Sequence, residues 1–342
     1  MADFKILVAV SHPGTEFMKK ALGARFEVVQ KCLGEEELAE EMKKDYDAVV
    51  TSHWLPVTRE MLESASPQLK AVATLSVGFD HIDLFAEERG IKIVNAAADN
   101  LCASAYTVAE FAWALLLSLL RRVGWYSEAV RAGSPSWEEL TRGTDRSLWG
   151  RELFNRTLCV IGVGRIGSHV CRIGRGFGMR VIGYDPYVSR ERAMECGAVL
   201  VDDYLAALSE ADFISINPCL TDETRGMVNA RAIGAMKKGV YIVNTARGAI
   251  VDEWAVLEGL RNGKIAGYAA DVLWGEPPTE KTSPLLAAYR RGEPNLLISP
   301  HVAWVTEEAI QRYGLIVGNK LRELLTGARF PHPPADYLRL HP

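Results

Sequence analysis

The chain has 342 residues, 48% hydrophobic and 24% charged, with 29 Gly and 15 Pro. This is ordinary globular usage, so collagen-like, disordered and small disulfide-stapled classes are excluded, and at roughly 150 residues per domain about two domains are expected. The 39 basic and 43 acidic side chains leave a net charge of -4, which argues against a dedicated nucleic-acid binder, since such proteins carry a basic face.

The N-terminus reads Met-Ala-Asp-Phe-Lys, and the apolar run at residues 6–10 is too short for a signal-peptide core. Six cysteines, Cys32, Cys102, Cys159, Cys171, Cys196 and Cys219, form no CxxC pair. Buried free thiols in a reducing, cytoplasmic setting are expected, with no metal site.

In chain order, β-branched runs at residues 5–10, 27–30, 48–51, 70–75 and 92–95 alternate with helix-length segments. Residues 108–120 follow as the longest apolar stretch, but Glu110 and Ser118 interrupt it and it falls short of the roughly 18 residues that a membrane span needs. A buried or interface helix is predicted there, with Ser104 at its N-cap and no membrane association. Residues 133–150, rich in Gly, Ser, Thr and Arg, predict loops with one short helix. A second series of runs lies at 157–163, 180–185, 198–201, 213–216, 240–244, 267–271 and 296–299. The class is α/β, two doubly wound parallel-sheet domains joined near residue 103. From Pro331 onward, Pro-His-Pro-Pro excludes helix.

Gly162-Val-Gly164-Arg165-Ile166-Gly167 fits GxGxxG and gains its force from context. It follows an apolar run and opens a segment in which Ile166, Val170, Ile173 and Phe177 recur at helix spacing. The next strand leads to Asp185, where a dinucleotide fingerprint expects an acid about 20 residues on. A Rossmann cofactor domain follows, with the pyrophosphate at a helix N-terminus. A carboxylate at Asp185 would accept hydrogen bonds from both ribose hydroxyls of NAD. It would repel the 2′-phosphate of NADP by roughly 4 kcal/mol per unit pair at about 4 Å and an effective dielectric of about 20.

Ligands of doubly wound sheets sit outside the carboxyl ends of the strands. After the run at 240–244 come Thr245, Ala246 and Arg247; after 267–271, which ends in Asp271, comes Glu276; after 296–299 comes His301. Carbonyl reduction needs a cation to hold and polarise a substrate acid, a proton donor, and a carboxylate to keep that donor charged. Arg247, His301 and Glu276 supply these three.

These strings resemble the D-isomer-specific 2-hydroxyacid dehydrogenase family, from about residue 50 to about residue 325. Ser76-Val-Gly-Phe-Asp80, the Gly162 to Gly167 loop with Asp185, Asn244-Thr-Ala-Arg-Gly248, Asp271-Val with Glu276-Pro277, and Pro300-His301-Val-Ala303 carry the likeness. The resemblance implies that Arg247 binds the substrate carboxylate and carbonyl, that Glu276 hydrogen-bonds His301, and that His301 is the acid/base. It places Arg165 and Ile166 at the pyrophosphate, Thr245 and Asp271 near the nicotinamide, and the Val77 and Gly78 backbone on the substrate carboxylate. It further implies a flavodoxin-like substrate domain of residues 1–102 completed by 302–342, an NAD-binding domain of 103–301, and a homodimer. Leu273 and Cys171 depart from the family pattern without removing a catalytic group.

The segment Thr51-Ser-His53-Trp54-Leu-Pro-Val57 offers only His53 to a phosphate, and no separate regulatory domain is expected after residue 342. Trp54, Leu55, Phe79, Leu101 and Trp304 favour an unphosphorylated, apolar 2-keto acid, and Pro300-His-Val-Ala-Trp304 looks most like the D-lactate dehydrogenase branch. Glyoxylate, hydroxypyruvate, pyruvate and longer acids remain open. Formate dehydrogenases of this fold place an amide where Glu276 stands. Phosphite oxidation and an NAD-sensing corepressor role are the alternatives.

Overall fold

Five parallel strands, β1 (Phe4–Val8), β2 (Phe26–Gln30), β3 (Ala48–Thr51), β4 (Ala71–Thr74) and β5 (Lys92–Val94), stand in the order β2-β1-β3-β4-β5. The computed structural model describes residues 2–98 and 101–328, so the tail from Pro331 lies outside the described residues. The chain divides into a first unit, Met1–Ser104 with Trp304–Pro342, and a second, Ala105–Ala303. In the first unit β3 and β4 read Ala-Val-Val-Thr and Ala-Val-Ala-Thr and are buried at every position. That is the composition of strands covered on both faces.

The C-terminal helix, Glu307–Thr326, returns to this unit and packs on the helix Thr15–Leu22. Glycine is required at the crossing. A Cβ on Gly314 would run into the Gly14 carbonyl oxygen, and one on Gly318 would stand 2.7 Å from Ala21 Cβ. Ile316, Val317 and Leu321 thereby join Ile6, Leu7 and Met18 in one core. The antiparallel pair β6 (Ala97–Ala98) and β7 (Leu101–Cys102) adds strands too short to leave a period in the sequence; the Ala98 and Leu101 side chains lie outside the described residues.

The second unit holds β8 (Thr157–Ile161), β9 (Arg180–Tyr184), β10 (Val199–Leu200), β11 (Phe213–Ile216), β12 (Val240–Asn244), β13 (Ile265–Ala270) and β14 (Leu296–Ile298). Their order is β10-β9-β8-β11-β12-β13-β14, parallel throughout. The apolar helix Ala105–Arg121 lies against β12, β13 and the helix Arg165–Gly176. Trp113 fixes it by donating its indole N–H to the Val170 carbonyl at 3.2 Å. Gly267 lets it approach, because a Cβ there would stand 2.9 Å from Leu119 Cδ2. Residues 133–150 form the helix Trp137–Thr141 and a 3-10 turn, Arg146–Leu148.

One expectation fails. Cys102, Cys159, Cys171 and Cys196 are buried, but Cys32 and Cys219 are exposed, since they sit in the loops that leave β2 and β11 and not within the sheets. Among the described residues no helix is long and apolar enough to cross a membrane, and no cluster of His, Cys, Asp or Glu could hold a metal ion.

Candidate active site

The switch point of the second sheet lies between β8 and β11, where the order reverses, and the glycine loop leaves β8 there. Two of its three glycines are required by close contacts. Gly162 has φ of 81°, and a Cβ would stand 2.7 Å from Pro218 N. Gly167 packs its backbone onto the Gly162 carbonyl, which any side chain would strike. Gly164, by contrast, faces open space. It caps the helix Arg165–Gly176, whose first N–H groups have no intrahelical acceptor. Exposed Gly164 and Arg165 and half-buried Ile166 thus stand at a helix N-terminus, a place whose free N–H groups can take an anion.

Asp185 directly follows β9 beside this loop. Its Oδ2 accepts the Val163 N–H at 2.8 Å, and its Oδ1 accepts the Tyr187 N–H at 2.9 Å. A carboxylate has about four acceptor sites, so capacity remains for ribose hydroxyls. Open space at Gly164, the helix terminus and this carboxylate together fit a dinucleotide.

The loops after β12, β13 and β14 carry the charged residues. Asn244, wholly buried, shapes the first by accepting the Ala246 N–H and donating to the Arg247 carbonyl, both at 3.0 Å. This bend presents half-buried Arg247, whose Nη1 donates to the Ala246 carbonyl at 2.8 Å. Thr245 Oγ1 is buried there without a hydrogen-bond partner, an orphan that suits a bound polar group.

His301 follows β14 in the left-handed region, with φ of 54°. That strained backbone is held from below. Asp271 accepts the Val302 N–H at 3.0 Å, the Ala303 N–H at 2.8 Å and the Ser299 hydroxyl at 2.6 Å, while its carbonyl accepts the His301 N–H at 2.8 Å. Burial raises the Asp271 carboxyl, and these donors with the His301 charge oppose it only in part.

His301 Nδ1 stands 2.5 Å from Glu276 Oε2, and Glu276 Oε1 accepts the Leu273 N–H at 3.0 Å. Burial works to raise the Glu276 carboxyl. The hydrogen bond and charge of His301, the Leu273 amide and the charge of Arg247 outweigh it and hold the carboxyl below its ordinary range. An imidazole, a carboxylate and a guanidinium are thereby gathered at the carboxyl ends of neighbouring strands.

Residues 113–303 match the family described as D-isomer specific 2-hydroxyacid dehydrogenase, NAD binding domain. The chain belongs to the D-isomer specific 2-hydroxyacid dehydrogenases. Its second unit is the NAD-binding domain of this dehydrogenase family. The chain is 38% identical over 324 residues to the D-3-phosphoglycerate dehydrogenase of Methanocaldococcus jannaschii, covering 94% of this chain and 58% of that one. It is 34% identical to the hydroxypyruvate reductase of Thermotoga maritima, covering 86% and 94%. Among solved structures, the D-lactate dehydrogenase from Aquifex aeolicus, complexed with NAD and lactic acid, superposes with a TM-score of 0.78 at 31% identity, covering 94% and 96%. The phosphoglycerate dehydrogenases matched are longer, and the chain spans from 44% to 58% of their lengths.

The remaining residues expected at a substrate lie in the first unit. Asn95 Nδ2 donates to the Val77 carbonyl at 2.8 Å and Ser76 Oγ to the Gly78 carbonyl at 2.6 Å, which fixes that loop. Trp54 is half exposed. Trp304 is partly buried against the core and stacks on His12 at 5.2 Å. Sequence reasoning passed over Glu253 and Ser299, whose hydrogen bonds bind the loops around Glu276 and His301.

Proposed function

We propose that the protein interconverts a small unphosphorylated 2-keto acid and its D-2-hydroxy acid with NAD. The observation that carries this is the His301–Glu276 hydrogen bond at the strand ends that also bear Arg247. When bound, the reduced nicotinamide supplies a hydride to the keto carbon, and its oxidised form accepts one in reverse. Gly162, Gly164, Arg165, Ile166, Gly167 and Asp185 would hold the cofactor, with Thr245, Ala246 and Asp271 toward its nicotinamide. With Nδ1 committed to Glu276, His301 gives its proton to the developing alkoxide through Nε2, and Glu276 stabilises the imidazolium. Arg247 fixes the substrate carboxylate and polarises the carbonyl, joined by the Val77 and Gly78 amides. Trp54 and Trp304 are assigned to the substrate's apolar side.

A homodimer is the proposed assembly. Val123, Trp125, Val130, Trp137 and Trp149 are large apolar side chains exposed around residues 123–149, more than isolated surface apolars require. A cytoplasmic setting is proposed from the free thiols.

Turnover of a 2-keto acid panel with NADH tests the reading: glyoxylate, pyruvate, hydroxypyruvate, longer apolar acids and 3-phosphohydroxypyruvate. The highest kcat/KM should fall on an unphosphorylated acid. A phosphorylated substrate is the second reading, favoured by relatives named D-3-phosphoglycerate dehydrogenase; against it, residues 52–57 and 76–81 contain no Lys or Arg. NADH binding with no turnover of any acid would overturn the enzymatic reading and favour a corepressor-like binding role.

A further inference from the structure

A second carboxyl lies beneath the Glu276 loop. Glu253 is the first residue of the helix Glu253–Arg261, where an acid ordinarily faces water near the positive helix end, yet it is only 1% exposed. Its Oε1 accepts the Trp274 N–H at 2.7 Å. Its Oε2 accepts the Ser283 hydroxyl at 2.6 Å and the Leu285 N–H at 3.3 Å. The chain before Glu276 and the chain after it are thus tied to the two oxygens of one side chain.

Two further contacts make this a clamp. Trp274 donates its indole N–H to the Val251 carbonyl at 2.7 Å. Gly248, next to Arg247, lies so close to the Leu273 carbonyl group that a Cβ would strike it, and that Cβ would stand 2.7 Å from Trp274 N. The Leu273–Trp274 peptides are therefore fixed against the Arg247 turn and Glu253 together. Leu273 in turn donates to Glu276 Oε1, which leaves Oε2 on His301.

Burying a carboxyl among neutral donors is costly, and a loop could be anchored more cheaply by apolar packing. A carboxyl does what packing cannot, because it accepts from both sides of the loop at fixed angles. We propose that Glu253 is a positioning residue for the proton relay, setting the Leu273–Trp274 peptides so that Glu276 meets His301. This rests on the role given above to the His301–Glu276 pair.

The test is a double-mutant cycle of Glu253→Gln and Glu276→Gln in the full chain, with NADH and the best 2-keto acid of the panel. Glu253→Gln keeps an oxygen for Trp274 but turns an amide donor toward Ser283 and Leu285. Alone it should lower kcat about tenfold, keep NADH affinity within about threefold, and move the pH profile of kcat/KM in the same direction as Glu276→Gln. In the Glu276→Gln background it should cost less than about threefold, because residues acting through one another are not additive. A loss that multiplies in full in that background, or an unmoved pH profile, would overturn the proposal while leaving the relay intact. An unchanged kcat in Glu276→Gln alone would overturn the relay and the proposal with it. Should Glu253→Gln fail to fold, Ser283→Ala, which removes only the 2.6 Å bond, runs the same cycle with the same two outcomes.

Discussion

His301 and Glu276 stand 2.5 Å apart, Nδ1 to Oε2, although 25 positions separate them in the chain. Two loops bring them together. One is held by the buried Asp271 carboxyl and the other by the buried Glu253 carboxyl.

Glu276→Gln should therefore alter the pH dependence of turnover. The Glu276 carboxyl is held below its ordinary range, so it is ionised through the neutral region, and its contribution is lost only as pH falls through that lowered value. Replacing the charge by an amide removes an electrostatic partner of the imidazolium. The profile of kcat/KM with a 2-keto acid should move its histidine-governed limb to lower pH. A superimposable profile would count against the pairing.

Asp185→Ala should narrow the preference for NAD over NADP. The substitution removes the carboxylate that faces a 2′-phosphate and also leaves the Val163 and Tyr187 N–H groups without their acceptor. The ratio of kcat/KM values with the two cofactors is the measurement. Full loss of the roughly 4 kcal/mol repulsion would be about 10³-fold, so a drop of at least about tenfold is expected, and an unchanged ratio would reject Asp185 as the selector.

His12 gives the first unit a pH-dependent stability. Its ring is 4% exposed, stacks at 5.2 Å on Trp304, and accepts the Gly14 N–H at Nδ1. Burial lowers its pKa to about 4 from 6.5. Between those values the unfolded chain binds a proton that the folded chain refuses, so stability falls as pH drops from about 6.5 to about 4. The full loss is about 3 kcal/mol. Urea denaturation across this range should show a steeper fall for the wild type than for His12→Phe; equal slopes would reject the assignment.

Local order made most of the fold legible. Strands such as β3, β11 and β12 are short runs rich in apolar and β-branched residues, each preceded by Asp or Gly, and the glycine loop joins strand, turn and helix within a few residues. The alternation of runs and helices therefore identified a doubly wound α/β architecture, and the loop identified the cofactor class. Arg247, Glu276 and His301 stand out because each lies in the loop that follows a strand, where ligands of doubly wound sheets sit, and the expected hydrogen bond between Glu276 and His301 is present.

What stayed hidden depends on contacts distant in sequence. Glu253 reads as an ordinary first-turn acid behind the N-cap Asp252, and nothing near it foretells Ser283, 30 positions on. Cys32 and Cys219 lie beside apolar strands, yet both are exposed in the loops that follow them. The left-handed backbone at His301 comes from the donors that converge on Asp271 and not from its neighbours in sequence. His12 resembles any loop histidine until Trp304, from the far end of the chain, stacks on it.

In the proposed reaction His301 moves the proton while the chain's other residues bind and orient. Steady-state turnover of a 2-keto acid by His301→Ala, with NADH affinity measured in parallel by fluorescence titration, addresses it most directly. A positioned acid/base is worth roughly 10² to 10⁴ in rate, so kcat should fall by that factor while NADH affinity stays within about threefold. A kcat within about threefold of wild type would rule out His301 as the acid/base.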